Sequence, residues 1–321
     1  MGEALLVVKD LRAYYRTRGN PVRAVDGVSF HVNHDEIFGI AGESGCGKST
    51  LALAIMRLLK PPGYIVGGEV LYNGMNLLEI DEEALRKLRW KEISYIPQSS
   101  MNALNPVMRV EDQILDSMRA HEEEIDEEEA RERIRELLTS VGLAPEVARM
   151  YPHELSGGMR QRVIIAMAMA LNPKLIIADE PTTALDVVVQ RGIIQLLADI
   201  KEKLKTSIIL ITHDMAVHAE LVDRLAVMYA GKIVEIGKVD DLFSDPLHPY
   251  SKALISAIPS IKEKKKLRGL PGFPPDLRNP PPGCRFHPRC PYAMDVCRRE
   301  EPPLLDVGGR LVACHLYGEK T

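Results

Sequence analysis

Residues Gly42–Ser49 read GESGCGKS and are followed by Thr50. They match the pattern G-x-x-x-x-G-K-[ST], and their surroundings fix what the chain can fold into. The apolar run Ile37–Ala41 comes directly before them, and a helical stretch, Ser49–Leu59, begins at their end. In a strand–glycine loop–helix unit, successive backbone N–H groups and the helix N-terminus cradle phosphate oxygens. Lys48 supplies a point charge and Ser49 a hydroxyl for Mg²⁺. A chance glycine turn would need neither flank. Cys46 serves this loop through its backbone and reads as a small filler, not a redox sensor.

The rest of the chain extends the α/β theme. Leu5–Val8 and Val28–Val32 read as strands, rich in aliphatic and β-branched residues. Leu175–Ala178 and Ile208–Ile211 are short continuous apolar runs, the signature of strands buried on both faces. Asp126–Val141 has helical spacing with acids first and arginines later, which suits the helix dipole. The acidic stretch Glu122–Glu129 reads as a solvated helix start. LIIADE, at Leu175–Glu180, is a buried strand ending in two carboxylates. Asp179 is placed to hold Mg²⁺, and Glu180, one residue further, to deprotonate an attacking water.

Composition narrows the class. Hydrophobic residues make up 45% and charged residues 27%, enough for a normal core. The net charge of -4 argues against a general nucleic-acid binder. The longest apolar stretches, such as Val163–Leu171, fall far short of the ~20 residues that span a bilayer. The start, MGEALLVVKD, lacks a basic region followed by a long apolar core, so no signal peptide is expected. A reducing compartment follows, in which structural disulfides are not expected. Beyond residue 240 prolines punctuate the chain at 246, 249, 259, 271, 274, 275 and 280–282. Such a run excludes a regular helix or central strand and reads as an extended, loop-rich appendage. The basic run at 262–266, KEKKK, reads as a solvated linker.

Further motifs carry a resemblance. LSGGMRQ, Leu155–Gln161, is similar to the LSGGQ signature of ABC ATPases and presents Ser156, Gly157, Gly158 and Gln161 at the start of a helix beginning near Met159. Gln98, after ISYIP, resembles the Q-loop glutamine. Asp186, in ALD, resembles the D-loop aspartate, and His213, in ITHD, the switch histidine. Tyr15 resembles the A-loop aromatic that stacks on adenine, with Tyr14 as its competitor. The resemblance implies an α/β fold of the P-loop NTPase ABC cassette type. That fold has a RecA-like core, an antiparallel β subdomain and a helical subdomain at about residues 100–165, the whole cassette spanning residues 1–240. It implies an ATP site of Tyr15, Gly42, Ser44, Gly45, Cys46, Gly47, Lys48, Ser49, Thr50, Gln98 and Asp179, with Mg²⁺ held by Ser49, Gln98 and Asp179. Lys48, Gln98, Glu180 and His213 are the implied catalytic groups. The signature of one subunit faces the phosphate loop of another, so two ATP are sandwiched in a head-to-tail dimer.

Soluble ABC ATPases linked to nucleic acid are the competing class. About 130 residues separate Lys48 from Asp179, which leaves no room for a long coiled coil; the cassette carries no zinc insertion, and the chain has one cassette, not two. The stretches AVDGVSF, GESGCGKSTLALAIMRLL, GGEVLYNG, LNPVMRV and DPLHPYSKALISAIP resemble the dipeptide/oligopeptide (and nickel) importer family over almost the whole chain. Membership implies a second ATPase subunit, identical or paralogous, two transmembrane permease subunits and, indirectly, an extracytoplasmic substrate-binding protein. It places the chain on the cytoplasmic face of the membrane. The cargo implied is peptide, with oligosaccharide or nickel as alternatives. Two departures from the family are Asp35-Glu36, where Gly-Glu is usual, and Ser99-Ser100, where an Asp often follows the glutamine.

Residues 241–321 form the C-terminal extension. Cys284, Cys290, Cys297 and Cys314 lie there with gaps of five, six and sixteen residues. Four thiols in a segment with little core point to a metal staple. The spacing lacks the C-x₂₋₄-C pairs of zinc sites and suits a [4Fe–4S] cluster, with Zn²⁺ second and free or disulfide cysteines third. Some peptide-type ATPases have a similar pattern and are thought to bind such a cluster. His287 and His315 are substitute ligands, though ordinary loop roles suit them better.

Overall fold

The structure is a computed structural model describing residues 4–98, 103–122, 124–258, 270 and 272–318. In chain order, β1 (Ala4–Tyr15), β2 (Val22–Asn33), β3 (Ile37–Ala41), α1 (Lys48–Ile55), β4 (Gly63–Tyr72) and β5 (Met75–Asn76) come first. They are followed by α2 (Glu82–Leu88), β6 (Ile93–Ile96), α3 (Val110–Arg119), α4 (Glu127–Ser140), α5 (Gly157–Met169), β7 (Leu175–Asp179), α6 (Val187–Leu204) and β8 (Ser207–Ile211). The chain closes with α7 (Met215–Leu221), β9 (Arg224–Tyr229), β10 (Lys232–Lys238), α8 (Val239–Ser244), α9 (Pro249–Ser256), β11 (Leu305–Val307) and β12 (Arg310–Val312). Two compact units result: residues 1–79 with 211–321, and residues 80–210.

The first unit holds an antiparallel sheet in the order β2-β1-β4-β5 and a second set of strands in the order β11-β12-β10-β9-β3. β3 pairs with β9 in parallel, Ile40 opposite Ala226, and all five of its residues are buried. That explains its unbroken apolar run, since a strand covered on both faces has no polar side. The extension is not wholly irregular. Its hairpin β11–β12 adds to the sheet, with Glu235 opposite Val312 and Ile236 opposite Leu311. Strands of three residues carry no readable periodicity, and they lie past the proline run. Pro249 does not break structure either. It occupies the first turn of α9, where its missing N–H is not needed.

The second unit orders its strands β8-β7-β6, with β6 and β7 parallel and β7 and β8 fully buried. Its helices start where their caps are. Asp126 accepts from the N–H groups of Glu128 and Glu129, both at 3.0 Å, and three glutamates fill the first turn of α4. Ala130, Ile134 and Leu138 form its buried stripe.

α1 is shorter than the sequence predicts, ending at Ile55 and not Leu59. Arg57 adopts φ 50, outside helical space, and donates to the Leu77 carbonyl at 3.1 Å. Asp35 stands at φ 56, a conformation glycine adopts more easily, which accounts for the usual glycine there. Ser99 and Ser100 and the run at 262–266 lie outside the described residues.

Candidate nucleotide site and cysteine-rich extension

In the first unit the glycines of the phosphate loop are dictated by close backbone approach. Gly47 has φ +110, and a Cβ there would stand 1.9 Å from the Ala24 carbonyl oxygen. A Cβ on Gly42 would meet the Met228 carbonyl oxygen at 2.1 Å. Ser44 and Gly45 form the exposed crest of the loop, while Cys46 and Lys48 are buried. Burial pushes the Cys46 thiol up, against the opposing pull of Lys48, so it stays protonated and inert. Lys48 Nζ donates to the carbonyls of Gly42 at 2.8 Å and Glu43 at 3.1 Å. Ser49 and Thr50 follow in the first turn of α1. Of the two tyrosines, Tyr15 reaches this loop, its hydroxyl 3.2 Å from Thr50 Oγ1. Tyr14 turns to Asp26 at 2.6 Å.

His213 is exposed in the same unit, between β8 and α7. Asp214 caps α7 by accepting from Ala216 N–H at 2.9 Å. The carbonyl before His213 is held by His218, whose Nε2 lies 3.1 Å from Thr212 O. His218 is fully buried, and burial pushes its pKa down to about 4.

The second unit assembles the acidic partners at the end of β7. Asp179 is buried, and its Oδ2 accepts from the Tyr95 hydroxyl at 3.1 Å. Burial, then the Asp179 charge, pushes the Tyr95 ionisation up, so the phenol remains a donor. Glu180 has φ 46, a strained value for a non-glycine residue and one that turns the chain out of the strand. Its Oε2 accepts from Gln98 Nε2 at 2.7 Å and from the Thr183 hydroxyl at 2.9 Å. Gln98 and Glu180 thus lie in contact, and Tyr95 and Thr183 join them with no motif to announce them.

Ser156 caps α5 by accepting from Met159 N–H at 3.3 Å, so this helix begins at Gly157, slightly before the expected start. A Cβ on Gly158 would meet Val189 Cγ1 at 2.6 Å, so glycine lets α5 approach α6. Gln161 is buried on α5, and Asp186 caps α6 through Val188 and Val189 N–H.

The extension is stapled to the rest of the first unit by polar contacts. Arg285 is buried, pairing with Asp26 and donating to the Ala230 carbonyl. Glu235, fully buried in β10, accepts from Leu247 N–H at 2.8 Å and His248 N–H at 2.9 Å. Tyr229, Tyr250 and Phe286 pack with ring centroids 4.6 to 5.4 Å apart. Such pairs contribute about 0.5–1.5 kcal/mol each beyond their burial.

All four extension cysteines are free. Burial pushes the Cys284 thiol up to about 11, and the neighbouring Cys297, Cys314 and Cys290 add to the shift. Cys284 thus lies within electrostatic reach of the other three thiols. Among the described residues no three His, Cys, Asp or Glu side chains converge closely enough to hold one metal ion. His287 and His315 are occupied otherwise, 2.9 Å from the carbonyls of Cys284 and Glu300.

A glycine-lined phosphate loop on a buried parallel strand, an Asp–Glu strand end and a serine-capped signature helix define an ABC-type ATPase. The sequence matches the family described as "ABC transporter" over residues 25–183 and that described as "Oligopeptide/dipeptide transporter, C-terminal region" over residues 234–297. A dipeptide transport ATP-binding protein of Caldanaerobacter subterraneus subsp. tengcongensis is 47% identical over 318 residues, covering 98% of both chains. An oligopeptide transport ATP-binding protein of Bacillus subtilis is 49% identical over 308 residues, covering 94% of this chain and 86% of the relative. A solved dimeric ATP-binding cassette in a post-hydrolysis state, bound to ADP and Pi, superposes with a TM-score of 0.66 at 30% identity. It covers 73% of this chain, which in turn covers 98% of that one. The chain belongs to the ATP-binding subunits of dipeptide/oligopeptide ABC transporters, and it hydrolyses ATP.

Proposed function

We propose that the protein powers import of dipeptides or oligopeptides from the cytoplasmic face of the membrane. It does so as one half of a head-to-tail ATPase dimer seated on two permease subunits fed by a substrate-binding protein. The observation that carries this reading is likeness to peptide-transport ATPases over 98% of the chain, extension included. Among the described residues no helix is long and apolar enough to cross a membrane.

Within the ATP site, Lys48 and the loop amides hold the β- and γ-phosphates, and the Tyr15 ring stacks on adenine. Ser49, Gln98 and Asp179 are the oxygen donors for Mg²⁺, which neutralises phosphate charge when bound. Glu180 takes the proton of the attacking water, its carboxylate oriented by Gln98 and Thr183. His213 and Lys48 stabilise the charge that develops. Ser156, Gly157, Gly158 and Gln161 serve the partner's ATP, and Asp186 lines the junction. Replacing Glu180 with Gln tests the assignment: ATP binding persists while hydrolysis collapses, and near-normal turnover would remove Glu180 from the role of base.

The four cysteines hold a [4Fe–4S] cluster in this reading, supported by four free thiols within mutual electrostatic reach. The cluster would supply a covalent staple to a segment with little core. Protein purified without oxygen should be brown, with about four iron per chain, and bleach on Cys→Ser replacement at any of the four positions. Colourless protein carrying one zinc, or no metal, would refute the cluster.

A further inference from the structure

The phosphate loop carries an acid, Glu43, in its second position. A carboxylate beside a polyphosphate is an electrostatic liability, since like charges at close range repel by an amount that low dielectric magnifies. The extension answers it. Arg289 grips Glu43 in a bidentate fork, Nη1 to Oε2 at 2.7 Å and Nη2 to Oε1 at 3.0 Å. The arginine side chain is only 6% exposed, so this pair is far less screened than a surface ion pair. Its guanidinium is itself located by Tyr229, lying 5.7 Å from the ring centroid and donating to the hydroxyl at 3.3 Å. Glu43 is also fixed through its backbone. Its N–H donates to the Tyr250 hydroxyl at 2.8 Å, and its carbonyl accepts from Lys48.

Two side chains of the C-terminal region, Tyr250 and Arg289, therefore hold the first turn of the phosphate loop. We infer that Arg289 is a positioning residue for ATP binding: it neutralises Glu43 and aims its carboxylate away from the phosphates. The extension is then part of the nucleotide site and not only an appendage. Arg289 touches no phosphate in this account; it acts through Glu43. The inference rests on the phosphate-loop reading above.

The test is equilibrium binding of Mg²⁺ with a fluorescent ATP analogue to the purified full chain, with thermal unfolding measured alongside. The parent protein must bind; if it does not, the ATP-site reading fails first. Arg289→Gln should bind about tenfold more weakly, the size of one partly screened charge interaction, and the deficit should shrink at high salt. Glu43→Gln in that background removes the exposed acid and should restore most of the affinity. Arg289→Lys keeps the charge without the fork and should fall between parent and Arg289→Gln. Should Arg289→Gln not fold, the neutral pair Glu43→Gln/Arg289→Gln decides, by binding near the parent value. Unchanged affinity in folded Arg289→Gln, or a double variant that binds too weakly to show rescue, overturns the proposal.

Discussion

At the residue scale, the chemistry rests on carboxylates and cations whose partners are already in place. Glu180 is held by two donors, Gln98 and Thr183, and sits at a strained φ of 46. Strain of this kind persists where surroundings over-determine it. Glu180→Gln keeps the shape and loses only the ability to take a proton. General-base catalysis contributes about 10²–10⁴-fold, so ATP turnover should drop by that factor while nucleotide affinity stays within about threefold. Turnover and nucleotide binding measured on the same preparation would show this split. A parallel loss of both would mean that the substitution had disturbed the site and not the base.

At the scale of elements, local capping explains most boundaries. α9 begins at Pro249 and is capped by His248, whose Nδ1 accepts from Tyr250 N–H at 3.0 Å. That acceptor requires neutral imidazole, and burial pushes the His248 pKa down to about 3. Glu235 accepts from its backbone, and the Phe286 ring lies 5.8 Å away. In the unfolded chain an ordinary histidine titrates near 6.5. Below that pH the unfolded state binds a proton that the folded state refuses, so stability falls as pH drops from about 6.5 toward 3. His218, with its pKa near 4, adds to the same slope. His248→Asn replaces the Nδ1 acceptor with a capping oxygen and removes the titration. Its melting temperature should therefore fall less steeply than the parent's between about pH 6.5 and 4.5. Equal slopes would show that His248 is not the group responsible.

Much of this level was legible in the sequence. Asp126 followed by three glutamates marks the start of α4, and LIIAD and IFGIA announce buried parallel strands. What could not be read has a physical cause. The α1 end is set by Arg57 reaching the Leu77 carbonyl, a contact twenty residues away. The β11–β12 hairpin is too short to show alternation. Arg289 and Glu43 stand 246 residues apart, and nothing local to either shows the pairing. Tyr95 and Thr183 likewise acquire their roles only when β6 and β7 lie side by side.

At the scale of the whole molecule, relatives at 45–49% identity over 94–98% of the chain make the family secure, and the cargo is the claim with most at stake. The decisive measurement is uptake of a labelled dipeptide into vesicles that contain the permease subunits and both ATPase subunits, with the binding protein on the opposite side. The account predicts uptake that requires ATP and stops with Glu180→Gln. Peptide movement that ignores ATP, or ATP hydrolysis that proceeds with no peptide movement at all, would contradict it.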